Sequence, residues 1–215
     1  LIIGCKKMKA LQGLLNAADL KLLKKRPLQW VKPMLATIIK NQTLDNTWIF
    51  ENKWDGYRAL VFSHKGKITI LSRNHKDLTP HFPELLAAFE QFNRHKFIKG
   101  NDFIMDGEIV VMKNKLSNFS ALQERISLGP KPSVIRKMPV RLYAFDLIYF
   151  GGYALELLSL VKRKALLKAL FPFKSPLFYT KHYPYRQKDR LVQTAKKAGW
   201  EGVMAKQSDS AYYHR

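Results

Sequence analysis

Residues 51–60 read ENKWDGYRAL, setting one lysine, Lys53, between Glu51 and Asp55, with Gly56 and Arg58 close behind. The residues allow two readings. In the first the stretch is a β-hairpin: a strand Trp48 to Trp54, a turn at Asp55-Gly56 and a return strand Tyr57 to Phe62, because Asp-Gly suits a tight two-residue turn. In the second, Lys53 is a reactive amine with substrate-holding groups around it. Side chains at 51, 53 and 55 of one strand share a face, which brings both acids to the amine. A free lysine titrates near 10.4, so only about 0.04% is neutral at pH 7, and restoring the neutral form takes about 4.6 kcal/mol. Desolvation and nearby cations push that way, whereas carboxylates alone push against it. A nucleophilic Lys53 therefore needs basic residues or a metal in the same pocket.

Outward from this stretch, a second turn at Lys65-Gly66 and a strand Lys67 to Arg73 complete a three-stranded antiparallel meander, which would return Arg73 toward Lys53. Thr79-Pro80 reads as an N-cap and first helical residue opening PELLAAFEQFNRH. FIMDGEIVVM (103–112) is a strand pair or a bent strand around a second Asp-Gly, and NFSALQERI a short helix. RLYAFDLIYF (141–150) is apolar enough to be a buried strand, ending at Gly151-Gly152. LVKRKALLKAL (160–170) has helical periodicity, LFYTKHY reads as a strand, KDRLVQTAKKAG as a helix stopped by Gly199, and WEGVMAKQ as a last strand. Residues 5–26 read as one basic amphipathic helix stopped by Pro27. The pattern predicts a basic helical segment over 1–27, a compact part over 28–215, and an α+β fold with mainly antiparallel sheets.

The composition narrows the partners. Of 215 residues, 47% are hydrophobic, enough for one large core or two subdomains sharing a cleft. Thirty-eight basic residues against 16 acidic give +22, an excess that a polyanion explains best. Nucleic acid outranks a membrane, since no apolar run approaches the roughly 20 residues of a span. Binding through phosphates would weaken steeply with salt. Cys5 is the only cysteine, which excludes an intramolecular disulfide and a cysteine-based zinc cluster and fits a reducing cytoplasm. His64, His75 and His81 fall in loops or at a helix start, without metal-binding spacing.

Three further clusters pair charges with short strands: Ser72-Arg73-Asn74, Asp106-Gly107-Glu108, and Glu201 with Lys206 in EGVMAK. Together with Lys53-Trp54-Asp55-Gly56-Tyr57-Arg58 and Tyr143-Ala144-Phe145-Asp146, they resemble, in order, the motifs of covalent nucleotidyltransferases: ATP-dependent DNA ligases, RNA ligases and mRNA-capping enzymes, whose signature is Lys-x-Asp-Gly-x-Arg. In wording, PMLA, KWDGYR, LSRN, FPEL, MDGEIVV, FSALQ and EGVMAK resemble the ligase module of bacterial end-joining ATP-dependent DNA ligases, over about Pro33 to Arg215.

The resemblance implies two mainly antiparallel sheets with flanking helices around a nucleotide cleft, the covalent nucleotidyltransferase or ATP-grasp-like fold. It implies a catalytic Lys53 that attacks ATP to form lysyl-AMP, from which AMP passes to the 5′-phosphate of a nick that the 3′-hydroxyl seals, in DNA repair and recombination. Glu51 would help read the adenine edge, Arg58 and Arg73 would hold ribose and phosphates, and Phe145 and Met204 would close on the base. Lys206 would neutralise the α-phosphate, Glu108 would take the ribose hydroxyl or the metal, and Glu201 would help hold Mg²⁺ (or Mn²⁺). The implied partners are ATP, nicked duplex DNA, and end-joining proteins or other domains of a longer polypeptide, in a bacterial cytoplasm on the nucleoid. The alternatives are an RNA ligase or capping-type enzyme, and a truncated, inactive DNA-binding fragment. The family continues into a Lys-x-Lys strand and an OB-fold domain, whereas this sequence ends at Arg215, so the expectation is a fragment lacking both.

Overall fold

The computed structural model describes residues 11–38, 43–92 and 94–213. In chain order they form α1 (Ala17–Leu22), β1 (Lys24–Lys25), β2 (Trp48–Lys53), β3 (Tyr57–His64), β4 (Lys67–Ser72), α2 (Pro83–Phe92), β5 (Phe103–Lys113), β6 (Leu116–Ser117), α3 (Phe119–Ser127), α4 (Pro132–Lys137), β7 (Val140–Phe150), β8 (Tyr153–Ala154), α5 (Leu160–Leu170), β9 (Leu177–Tyr179), β10 (His182–Pro184), α6 (Lys188–Ala198) and β11 (Gly202–Gln207). A large sheet runs β1-β8-β7-β5-β3-β4, with β6 added beside β5 and β9 beside β7, while a small sheet runs β10-β2-β11. Among the described residues only the β7–β9 pairing is parallel. This is the expected α+β arrangement of two mainly antiparallel sheets.

The apolar strands are buried because both faces of the large sheet are covered. On β3, Ala59 and Val61 join a core with Leu85, Phe89 and Phe92 of α2, Leu122 of α3 and Leu166, Leu167 and Leu170 of α5. Leu60 and Phe62 point the other way and pack with Val31, Ile104, Ile148 and Tyr212. Strand alternation thus turns one continuous apolar run into two cores. The small sheet has its own cluster of Trp48, Phe50 and Leu191. Among the described residues no helix is long and apolar enough to cross a membrane.

The expected meander is corrected. β3 and β4 do form a hairpin, with Lys65 and Gly66 at φ 50° and 82° in its turn. β2, however, does not pair with β3; it pairs with β10 and β11 in the other sheet. Gly56 is not among the residues with positive φ, so Asp55-Gly56 is not the mirror-image hairpin turn that the dipeptide suggested. It is a crossover from one sheet to the other. The Asp55 amide donates to Ser117 Oγ at 3.0 Å, and its carboxylate accepts from the Phe119 amide at 3.0 Å, fastening the crossover to the start of α3. Gly56 is there for close approach: a Cβ would lie 2.1 Å from the Ile109 carbonyl oxygen. Gly56→Ala is expected to destabilise by about 1–3 kcal/mol, read as a lowered urea midpoint with an unchanged slope.

Smaller corrections follow the same logic. The helix expected over 5–26 lies partly outside the described residues; within them, the helical pattern breaks after Gln12, Asn16 starts a new helix with a capping box to Asp19, and Lys24–Lys25 pair with β8. Leu11 and Leu15 are buried in the main core, so this segment packs against the fold. Thr79 caps no helix: its hydroxyl accepts from the Ile70 amide at 2.9 Å. LFYTKHY divides into β9 and β10, which serve different sheets. Asp106-Gly107 is no turn, because β5 runs through it with a register shift against β7.

Candidate active site

The end of β2 brings two charged side chains to the gap between the sheets. Lys53 is ion-paired to Glu201, which precedes β11. The strand register explains the pairing, since Gly202 lies opposite Lys53 and Met204 opposite Glu51. Glu51 is 1% exposed and clamped by two ammonium groups: Lys164 of α5 lies 2.6 Å from Oε1 and Lys206 of β11 lies 2.6 Å from Oε2. Burial pushes the Glu51 carboxyl up, but Lys206 and Lys164 outweigh it and hold it below the usual range.

The large sheet supplies the opposing wall. Arg58 on β3 grips Asp106 of β5 through Nε at 2.5 Å and a second nitrogen at 2.6 Å, the bidentate geometry that suits guanidinium and carboxylate. It also donates to the Met34 carbonyl at 3.2 Å. Burial alone would lower the Arg58 guanidinium; Asp106 overrides this and keeps it charged. The Tyr212 hydroxyl donates to Asp106 at 2.7 Å and accepts from the Met34 amide at 3.1 Å. Phe145 of β7 has the Arg58 guanidinium 4.6 Å and the Lys206 ammonium 4.5 Å from its ring centroid. Glu108 lies opposite Arg58 in register, within the electrostatic reach of Arg58, Asp106, Lys53 and Asp55.

The structure therefore gathers Glu51, Lys53, Arg58, Glu108, Phe145, Glu201 and Lys206, with Met204 half-buried on β11. Arg73 is the exception. It sits in the exposed turn after β4, and among the described residues no contact joins it to Lys53, because the meander meant to return it does not form. A cavity of about 470 Å³ opens beside Glu201 between Trp54, Arg141, Tyr143 and Trp200. The Trp54 and Tyr143 rings stack there at 3.6 Å.

Comparison with known proteins gives this arrangement a family. The sequence matches the ATP dependent DNA ligase domain over residues 33–215. The chain belongs to the ATP-dependent DNA ligase domain family. LigD of Mycobacterium tuberculosis, a multifunctional non-homologous end joining DNA repair protein, is 36% identical over 182 residues, 84% of this chain and 22% of that relative. DNA ligase C1 of Mycolicibacterium smegmatis is 32% identical over 191 residues, covering 85% of this chain and 53% of its own length. The chain thus spans about a fifth of the length of the LigD relatives. The structure of a mycobacterial DNA ligase D complexed with ATP and MES superposes with a TM-score of 0.67 at 32% identity, covering 86% of this chain and 56% of that one. The Chlorella virus DNA ligase-adenylate, at 16% identity and a TM-score of 0.55, shares the fold.

Several residues that shape this ligase domain escaped the motif reading. Asp106 was noticed beside Glu108, yet its grip on Arg58 and Tyr212 was not; an acid inside an otherwise apolar strand was the signal. Arg163 and Lys164, in a stretch read only for its helical periodicity, are both buried.

Burial pushes the Glu108 carboxyl up to about 8, against the pull of Arg58 and Lys53. An unfolded glutamate titrates near 4.3, so a protonated, folded Glu108 contributes stability that is fully present below that value. The contribution is lost as pH rises through about 8. Glu108→Gln removes the titration. Its stability relative to the parent is expected to improve between pH 4.5 and pH 8.5, by up to about 4 kcal/mol in paired thermal melts.

Proposed function

We propose that this ligase domain adenylates itself at Lys53 with ATP and passes the AMP to nicked duplex DNA. The observation that carries the reading is the position of Lys53 at the end of β2, paired to Glu201 and facing a cleft that also holds Glu108, Arg58 and Phe145. Once neutral, the Lys53 amine attacks the α-phosphorus of ATP. The N–P bond forms as the bond to the bridging oxygen breaks, and pyrophosphate leaves with that electron pair. The 5′-phosphate of the nick then displaces lysine, and the 3′-hydroxyl displaces AMP to close the strand. A covalent intermediate divides one hard condensation into easier displacements.

The side chains divide the work by chemistry. Glu51 accepts from the adenine edge, Phe145 and Met204 enclose the base, Arg58 holds ribose and phosphate, and Lys206 meets the α-phosphate. Glu108 contacts the ribose hydroxyl or the metal. Among the described residues no cluster of three or more metal-ligating side chains is present. Mg²⁺ needs none, since it is commonly held by one or two carboxylates plus substrate phosphates, a role that the oxygens of Glu108 and Glu201 fit, as they would Mn²⁺. When bound, the ion would offset phosphate charge and favour the neutral amine. The larger role is end-joining repair or recombination in a bacterial cytoplasm, on the nucleoid, alongside repair proteins or other domains of a longer polypeptide. The +22 charge supports a nucleic-acid partner.

The test is incubation with α-labelled ATP and Mg²⁺, then denaturing electrophoresis. A labelled protein band is expected, chased by nicked DNA and not by nicked RNA. A chase by RNA alone would favour the RNA ligase alternative. No label, with salt-sensitive DNA binding intact, would leave only a nucleic-acid-binding domain.

A further inference from the structure

We propose that Lys164 is a positioning residue that frees Lys206 to leave Glu51 for the nucleotide phosphate, coupling recognition of the base to recognition of the phosphates; this rests on the nucleotide-binding reading above. Lys206 occupies the place of the base. Its ammonium rests on the Glu51 carboxylate at 2.6 Å and 4.5 Å from the centre of the Phe145 ring. These are the two groups assigned to the base: the carboxylate that accepts from its edge and the ring that stacks on its face. Arg58, the other cation on that ring, is fixed by Asp106, so Lys206 is the one free to yield. A nucleotide entering the cleft displaces Lys206 from both contacts.

Displacement leaves Glu51 behind, and Glu51 is buried. A buried carboxylate left with no counter-ion either takes up a proton or recaptures the lysine, and either outcome weakens recognition of an amino group. Lys164 prevents this. Its side chain is 0% exposed, and its ammonium lies 2.6 Å from Glu51 Oε1 while donating to the Phe145 carbonyl at 3.1 Å and the Thr180 carbonyl at 3.0 Å. Two carbonyl acceptors and an ion pair hold the buried ammonium on three sides, so it does not follow a phosphate. It stands over the Tyr179 ring at 4.8 Å, which holds it further. With Lys164 on one oxygen, Glu51 stays ionised in one rotamer, and the oxygen that Lys206 vacates opens toward the 6-amino group of adenine. Lys164 touches no part of the nucleotide in this account; it acts through Glu51.

The experiment measures equilibrium binding of ATP and ITP by calorimetry on the full chain carrying Lys53→Ala, so that no covalent AMP forms. ITP bears a carbonyl where ATP bears the 6-amino group. With Lys164 intact, ATP is expected to bind at least about tenfold more tightly than ITP, the worth of a hydrogen bond to a charged acceptor. Adding Lys164→Met should weaken ATP about tenfold or more and shrink the preference to within about twofold. Adding Glu51→Gln to Lys164→Met should recover much of the ATP affinity, because no unpaired carboxylate then detains Lys206. A purely architectural Lys164 would weaken both nucleotides alike, and an unchanged ATP/ITP ratio overturns the proposal. Should Lys164→Met fail to fold, Lys206→Met with Lys164 intact carries the test: affinity should fall while the preference survives, and loss of the preference overturns the proposal. If the chain with Lys164 intact binds no ATP, the functional reading falls and this inference with it; if it binds ATP with an unaltered ratio in the variants, this inference falls alone.

Discussion

Lys53→Ala is expected to lose the α-label from ATP altogether, to below about one part in a thousand of the parent. Among the described residues no other amine in the cleft can substitute. Lys164 is fully buried on Glu51, and Lys206 meets the phosphate as a charged ammonium, with no lone pair to attack with. The fold should hardly notice, because the Lys53 side chain is 44% exposed and its pairing with Glu201 lies near the surface. Such a pair contributes little, so the melting temperature should stay within about 2 °C of the parent. Lys53→Arg sharpens the comparison. It keeps a cation for Glu201, but a guanidinium does not lose its proton at working pH and cannot attack phosphorus. Labelling and melting curves on the three proteins check this. Undiminished label on the alanine variant would place the nucleophile elsewhere.

Arg163→Met should have the largest effect on stability, about 3–5 kcal/mol, or roughly 10 °C in the melting temperature. Arg163 is 1% exposed and donates to both oxygens of Asp146, at 2.8 and 3.0 Å. It also bonds the Leu158 carbonyl and reaches the Ser210 carbonyl at 3.0 Å. Methionine fills much of the volume but strands a buried carboxylate, and that stranded charge, more than lost attraction, sets the size of the effect. The double variant Arg163→Met with Asp146→Leu should therefore recover most of the loss. A single variant as stable as the parent would mean that Asp146 is solvated in solution. The bond to Ser210 holds the segment that delivers Tyr212 to Asp106, so the single variant should also slow labelling even well below its melting point.

Local chemistry was legible in the sequence where it is carried by short motifs. Glu51 and Lys53 of β2, and Met204 and Lys206 of β11, stand two residues apart, so strand alternation alone brings each pair to one face, and the antiparallel register sets Glu201 beside Lys53. What the sequence concealed is decided at a distance. Asp55-Gly56 suits a hairpin equally well, and only the contact of Gly56 with Ile109 and the bonds of Asp55 to Ser117 and Phe119 send the chain to another sheet. Arg73 was misplaced by the same error. In KRKALLKAL, Arg163 and Lys164 look like solvent-facing cations, because their partners, Asp146 and Glu51, sit on strands that helical periodicity says nothing about. Buried charges are visible only once both halves of each pair are in place.

The crossover after β2 has a mechanical consequence. The two sheets are joined here through three residues, Trp54, Asp55 and Gly56, pinned to the larger one by Asp55. If the smaller sheet rocks over the larger to admit a nucleotide or release pyrophosphate, this short link is the axle. The amine one residue before it sweeps a small arc, whereas Lys206, at the far end of β11, has a long lever arm. The bond-forming atom would stay nearly still while the groups that greet and dismiss the phosphates swing around it.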